Sequence, residues 1–178
     1  ARRRFALPVL VAALLLVPGA RSASAASGLY ATCQQLQRRA EAFAGRVSYV
    51  VADLQGGARC ERGANEPYIS ASLYKLFVFA EAYRQQRAGS FSFDETLTVI
   101  PELLGNESEV APESHVPASE ALRLMVQVSD NASADALRRR LGPGLVASMP
   151  VRLQLRGTLL GQQFETTAGD MARLFEAL

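Results

Sequence analysis

Ser72 and Lys75 stand three residues apart in the stretch PYISASLYKLFVFA from Pro67 to Ala80. That spacing sets two side chains on the same side of a helical turn. Lys75 is the only charged residue in the stretch. A lysine buried without a partner either loses its proton or destabilises the fold heavily, so a lysine placed here can act as a base toward a neighbouring hydroxyl. The amino end of a helix adds backbone N–H groups and partial positive charge, which favour a serine alkoxide and a developing oxyanion. The same residues allow a plainer reading, in which Ser72 caps the helix and Lys75 reaches out to water. Ser-x-x-Lys alone does not separate the two.

The elements around this pair follow from periodicity. Leu36, Ala40 and Phe43 recur at helical spacing and predict a surface helix over residues 30–43. Residues 46–54 read as a strand with Val47, Tyr49 and Val51 on one face, and Gln55-Gly56-Gly57 as the turn into a returning strand over 58–63. From Pro67 the pattern is helical. Leu73, Leu76, Phe77 and Ala80 make one stripe, and Tyr74, Val78 and Phe79 make the other sides apolar, which predicts a central, buried helix ending near Gly89. Residues 101–118 read as a loop, and a helix from Ser119 carries Leu122, Met125 and Val126 inward. It breaks at Ser129-Asp130-Asn131, where a hydroxyl and an amide can point into a cleft. A short helix then runs to Leu141, before Gly142-Pro143-Gly144. Thr167-x-x-Asp170 resembles a capping box and predicts a last helix from Met171 to Leu178.

Three segments, ISASLYKLF, VSDNASADAL and TTAGDMARL, follow one another in the order and separation found in the class A β-lactamases and their relatives in the penicillin-recognising superfamily. Ser-x-x-Lys with Ser-Asp-Asn is a known signature of that family. The chain resembles it from about Leu36 to Leu178. The resemblance implies a mixed α/β (α+β) fold, a helical domain plus an antiparallel sheet, with the C-terminal strands lying beyond this sequence. The expected organisation is a signal segment over 1–25 and an incomplete serine-hydrolase domain over 26–178. That domain divides into a helix and hairpin over 28–66 and a mainly helical part over 67–178. By resemblance Ser72 is the nucleophile that forms an acyl-enzyme and Lys75 takes its proton, directly or through water. Ser129 relays a proton to the departing nitrogen, Asn131 binds the substrate amide and orients Lys75, and Asp130 ties the turn together. The implied substrates are β-lactams or peptidoglycan-type D-amino-acid peptides, hydrolysed as by a β-lactamase or processed as by a D-alanyl-D-alanine peptidase. A catalytically silent wall-peptide binder is the alternative of a different class. No cofactor is implied, and the protein is expected to be a monomer.

Two departures from the family pattern stand out. The third motif, Lys-Thr-Gly or a close variant, is missing, and Arg156-Gly157-Thr158 has similar residues in another order. Between Gly157 and Thr166 there is almost no loop for the glutamate that hydrolyses the acyl-enzyme in class A β-lactamases. Glu165 is the only acid there, directly against Thr166. The third motif is expected beyond Leu178, whereas the missing glutamate implies a long-lived acyl-enzyme and shifts weight toward a penicillin-binding or peptidase-like hydrolase with weak β-lactamase activity.

The first residues carry a compartment signal. Arg2-Arg3-Arg4 precedes an apolar run from Phe5 to Val17 and the small-residue stretch Ala23-Ser24-Ala25, the pattern of a secretory signal peptide cleaved after Ala25. The run is shorter than the roughly 20 residues a spanning helix needs. Residues 30–32, before Cys33, lack a lipoprotein pattern, so no membrane anchor is expected after cleavage and the product is expected to be secreted or periplasmic. Removing residues 1–25 takes away four arginines and no acid, moving the formal charge from +2 to −2. That weakens any nucleic-acid reading, which needs clustered bases on the mature chain. Cys33 and Cys60 are the two cysteines. The expected layout brings the helix start and the second strand to one end of the hairpin, which favours a disulfide in an oxidising compartment, with two separate thiols as the alternative. His115 is the only histidine and lies in irregular sequence, so neither a Ser-His-Asp triad nor a zinc site is expected.

Overall fold

The computed structural model describes residues 20–54, 57–100, 114–161 and 164–177, with side chains from Gly28 onward. Helix α2, Tyr74–Arg87, runs through the middle of the protein with Phe77, Val78 and Ala82 fully buried. None of its residues from Tyr74 to Ala82 is exposed, and the other helices supply much of the cover. These are α3 (Ala118–Gln127), α4 (Asn131–Leu141), α5 (Pro143–Ala147), α6 (Met149–Arg152) and α7 (Ala168–Ala177). Met125, Leu137, Leu141 and Leu174 close the core against Phe77 and Val78. Each such side chain contributes roughly 1.5–3 kcal/mol on leaving water. The central helix expected from the sequence is therefore present, and it is the element from which Lys75 projects.

Strands β1 (Tyr49–Ala52) and β2 (Arg59–Arg62) form an antiparallel hairpin with Val51 opposite Cys60. Both are shorter than their expected spans of 46–54 and 58–63. The expected turn falls partly on residues 55 and 56, outside the described residues. Gly57 beside it has a φ of +69° and donates its N–H to Asp53 O. Helix α1, Ala20–Ala42, packs beside β2, and the Cys33–Cys60 disulfide joins the two. The helix starts ten residues before the expected Tyr30, because the Ala- and Ser-rich run from Ala20 favours helix and contains no proline. The basic head and apolar run of the expected signal segment fall in residues 1–19, outside the described residues, and Ala25 lies within α1.

Several elements depart from the expected loops. Strand β4 (Thr96–Val99) pairs with β5 (Ser114–Pro117), so the end of the supposed 101–118 loop is a strand, while residues 101–113 lie outside the described residues. Alternation in β4 buries Leu97 and Val99 and is the signal that four-residue strands give only faintly. Past Gly142 the chain continues helically. Pro143 and Pro150 occupy the first turns of α5 and α6, where a missing N–H costs nothing. Strands β6 (Leu159–Leu160) and β7 (Phe164–Thr166) form a tight hairpin, and β7 also pairs with β3 (Tyr68–Ile69). Helix α7 begins at Ala168, three residues before the expected start, and Thr167 caps it by accepting the Asp170 N–H at 3.1 Å.

A buried carboxylate ties the helices together. Glu81 has no exposed surface and accepts from Arg84 (2.6 and 2.8 Å), Gln85 (2.8 Å) and Arg152 (2.8 Å). Gln85 in turn donates to Leu141 O. Burial alone raises the carboxyl pKa, but the hydrogen bonds from Arg84, Gln85 and Arg152 outweigh it and bring the pKa down from 4.5 to about 2. A carboxyl whose folded pKa lies below its unfolded value stabilises the fold above the unfolded pKa, and that stability is lost as pH falls through the folded one. Thermal unfolding should therefore show on the order of 3 kcal/mol lost between roughly pH 5 and pH 2 from this group. Glu81→Gln should flatten that part of the profile.

Candidate active site

The chain enters the site through β3 and not through a helix from Pro67. Tyr68 and Ile69, an aromatic and a β-branched residue, suit a strand, and they pair with Thr166 and Glu165. A 3₁₀ turn over Ala71–Leu73 then leads into α2. Ser72 lies in this turn and Lys75 in the first turn of α2, and both side chains reach Ser129 Oγ. Ala71, directly before Ser72, has a φ of +45°, a left-handed conformation that costs a residue with a Cβ roughly 1–2 kcal/mol.

The second half of the site is the break between α3 and α4. Ser129 has a φ of +59° and is exposed, as is Ser72. Asp130 is buried and caps α4 by accepting the Ser133 N–H at 2.6 Å, which fixes the turn. Across the cleft Lys75 Nζ donates to Ser129 Oγ at 2.9 Å, to Asn131 Oδ1 at 2.7 Å and to the Ser129 carbonyl. Ser129 Oγ donates to Ser72 Oγ at 2.9 Å. The structure thus brings together Ser72, Lys75, Ser129 and Asn131, and it links Ser72 to Lys75 through Ser129.

Lys75 is only 4% exposed. Burial lowers its pKa below the ordinary lysine value of 10.5, while the Asp130 carboxylate pulls it back upward. An ammonium has three hydrogens, and the Ser129–Asn131 turn supplies three acceptors. The charged form is therefore held in a fixed orientation yet remains easier to deprotonate than a solvated lysine. A chain of three polar atoms from Nζ through Ser129 Oγ to Ser72 Oγ can carry a proton in either direction.

Around this chain the flanking residues separate. Strand alternation turns Glu165 to the face of β7 opposite Phe164 and Thr166. Phe164 O accepts the Ser70 N–H at 2.8 Å, and its ring lies 5.2 Å from that of Tyr74. Tyr74 is half-buried, and Lys75 Nζ lies 6.0 Å from its ring. His115 is exposed on β5, 3.3 Å from Thr98 Oγ1, in the hairpin rather than in irregular chain. Gly157 and Thr158 of Arg156-Gly157-Thr158 both donate to Asp170, a structural use that the sequence did not signal.

The Beta-lactamase enzyme family model matches residues 31–178, and the chain belongs to that family. Its fold is that of class A β-lactamases and their relatives. A mutant of PBP-A, solved as an acyl-enzyme complex with penicillin G, superposes with a TM-score of 0.70 at 23% identity, covering 82% of this chain and 60% of its own. An ancestral class A β-lactamase, GNCA, gives 0.73 at 21% identity, covering 82% of this chain and 63% of its own. A β-lactamase from Xanthomonas campestris pv. campestris gives 0.71 at 18% identity, covering 86% of this chain and 62% of its own. The chain thus spans about three fifths of the length of these structures. No curated protein matches it.

The strained alanine before Ser72 has a direct test. Ala71→Gly relieves roughly 1–2 kcal/mol of left-handed strain and adds about 0.5–1 kcal/mol of chain entropy to the unfolded state, so denaturant unfolding should show stability unchanged or slightly raised. A loss of about 1 kcal/mol would mean that the turn is not strained.

Proposed function

We propose that the complete protein is an exported serine acyl-transfer enzyme, acylated at Ser72 by β-lactams and D-amino-acid peptides and slow to release the acyl group. The Ser72–Ser129–Lys75 hydrogen-bond chain carries this reading. With Lys75 neutral, Ser72 Oγ attacks the carbonyl carbon while its proton passes to Ser129 Oγ and the Ser129 proton passes to Lys75 Nζ. When the carbon–nitrogen bond breaks, the proton returns from Lys75 through Ser129 to the leaving nitrogen, and Ser72 is left as an ester. Asn131 holds Lys75 from the far side and presents its amide to the substrate. The backbone N–H of Ser72 is assigned as one oxyanion donor.

Slow release follows from the short β6–β7 hairpin. The one carboxylate in that segment, Glu165, is turned away from the Phe164 face, so among the described residues of the hairpin the ester meets an aromatic pair and no hydrolytic base. This favours a penicillin-binding or peptidase-like enzyme over an efficient β-lactamase. The basic and apolar head of the sequence and the Cys33–Cys60 disulfide support export to an oxidising compartment.

Fluorescent penicillin should label the full-length protein, and Ser72→Ala should abolish labelling without unfolding it. Labelling that survives in Ser72→Ala would place the nucleophile elsewhere. Ser129→Ala should slow acylation by about 100-fold or more, the usual effect of removing a positioned proton carrier. Acylation should rise with pH as Lys75 loses its proton. Because the Asp130 charge raises the Lys75 pKa, Asp130→Asn should move that rise to lower pH, as read from stopped-flow acylation rates.

A further inference from the structure

The β6–β7 hairpin is held by more than its own pairing. Thr158 Oγ1 donates to Asp170 Oδ2 at 2.8 Å and lies 2.9 Å from Thr166 Oγ1, and the Gly157 N–H donates to the same Asp170 oxygen at 2.8 Å. Arg173 Nη1 donates to Asp170 Oδ1 at 2.9 Å. Thr158, Thr166 and Asp170 are all at most 4% exposed. The first turn of α7 is thereby bonded to the chain entering β6, and through Thr158 to β7.

Strands this short are marginal on their own, so the buried cage governs how the hairpin sits. β7 passes that placement on through the Tyr68–Thr166 pairing, through the Ser70 N–H to Phe164 O and through the Phe164 ring against Tyr74. Ser70 and Tyr74 flank Ser72 by two residues on either side. Given the reading of Ser72 as the acylated residue, we propose that Thr158 and Asp170 are positioning residues. They hold Phe164 against Tyr74 as an apolar wall beside the acyl-serine, and so set how slowly water reaches the ester. In the step being restrained, a water oxygen bonds to the acyl carbon, the bond to Ser72 Oγ breaks, and one water proton returns to Oγ.

The test uses the full-length protein, benzylpenicillin and mass spectrometry of the adduct, with acylation rate and adduct half-life measured separately. Thr158→Val keeps the shape of the side chain and removes the bridging hydroxyl. It should shorten the adduct half-life by about tenfold, the rate equivalent of one net hydrogen bond, with little change in acylation. Thr158→Ser, which keeps the hydroxyl, should restore the long half-life. Phe164→Ala removes the wall directly, should shorten the half-life with the cage intact, and keeps the proposal testable should Thr158→Val misfold. A shortened half-life in Phe164→Ala with none in a folded Thr158→Val would overturn the positioning role. Unchanged half-lives in both variants would overturn the inference entirely. Failure of the wild-type protein to form an adduct would instead refute the reading of Ser72.

Discussion

An amine buried to 4% exposure must find three acceptors or lose its charge, and the site is arranged around that demand. The Lys75 side chain projects from the central helix to the floor of the cleft, and a single turn of backbone from another part of the chain meets it. Ser129 gives two of the three acceptors and Asn131 gives the third. Breaking the turn would leave an uncompensated buried charge, which is far more costly than losing a surface contact. The requirement to satisfy Lys75 therefore locks two distant segments together, and the same contact places Ser129 within a hydrogen bond of Ser72. Cohesion of the helical core and assembly of the site are one interaction.

Strain is concentrated on both sides of that contact. Ala71 and Ser129 are two of the three non-glycine residues with positive φ among the described residues. Each adjoins or carries a hydroxyl of the cleft. Such conformations persist only where the surroundings over-determine them. For Ala71 the surroundings are the β3–β7 pairing before it and the buried α2 after it. For Ser129 they are the Asp130 cap and the bonds from Lys75. The Glu81 cluster does comparable work at the other end of α2, drawing Arg84 and Arg152 onto one carboxylate and fixing α6 beneath the core.

Much of the helical frame was legible in the sequence because helical periodicity is read over many residues. Leu73, Leu76, Phe77 and Ala80 announce α2, and the polar break at Ser129-Asp130-Asn131 between two periodic runs announces the turn that meets it. Short strands carry no such redundancy. In β4–β5 a proline at Pro117 and a histidine at His115 disguise a four-residue pairing. In β6–β7 the pairing is held by Thr158, Thr166 and Asp170, whose separations follow no period. Glu81 was equally hidden, since its partners Arg84, Gln85 and Arg152 look like ordinary surface residues until the helices pack. The family resemblance implies a direct or water-borne link between Ser72 and Lys75, whereas the structure links them through a hydroxyl more than fifty residues further along the chain.

In the proposed function this buried amine is the proton acceptor for Ser72. An NMR titration of the Lys75 side-chain nitrogen, paired with acylation rates on the same protein, tests it most directly. The amine should titrate below the ordinary lysine value of 10.5, and acylation should rise with the same midpoint. An amine that stays charged to or above that value while acylation proceeds undiminished at neutral pH would contradict it.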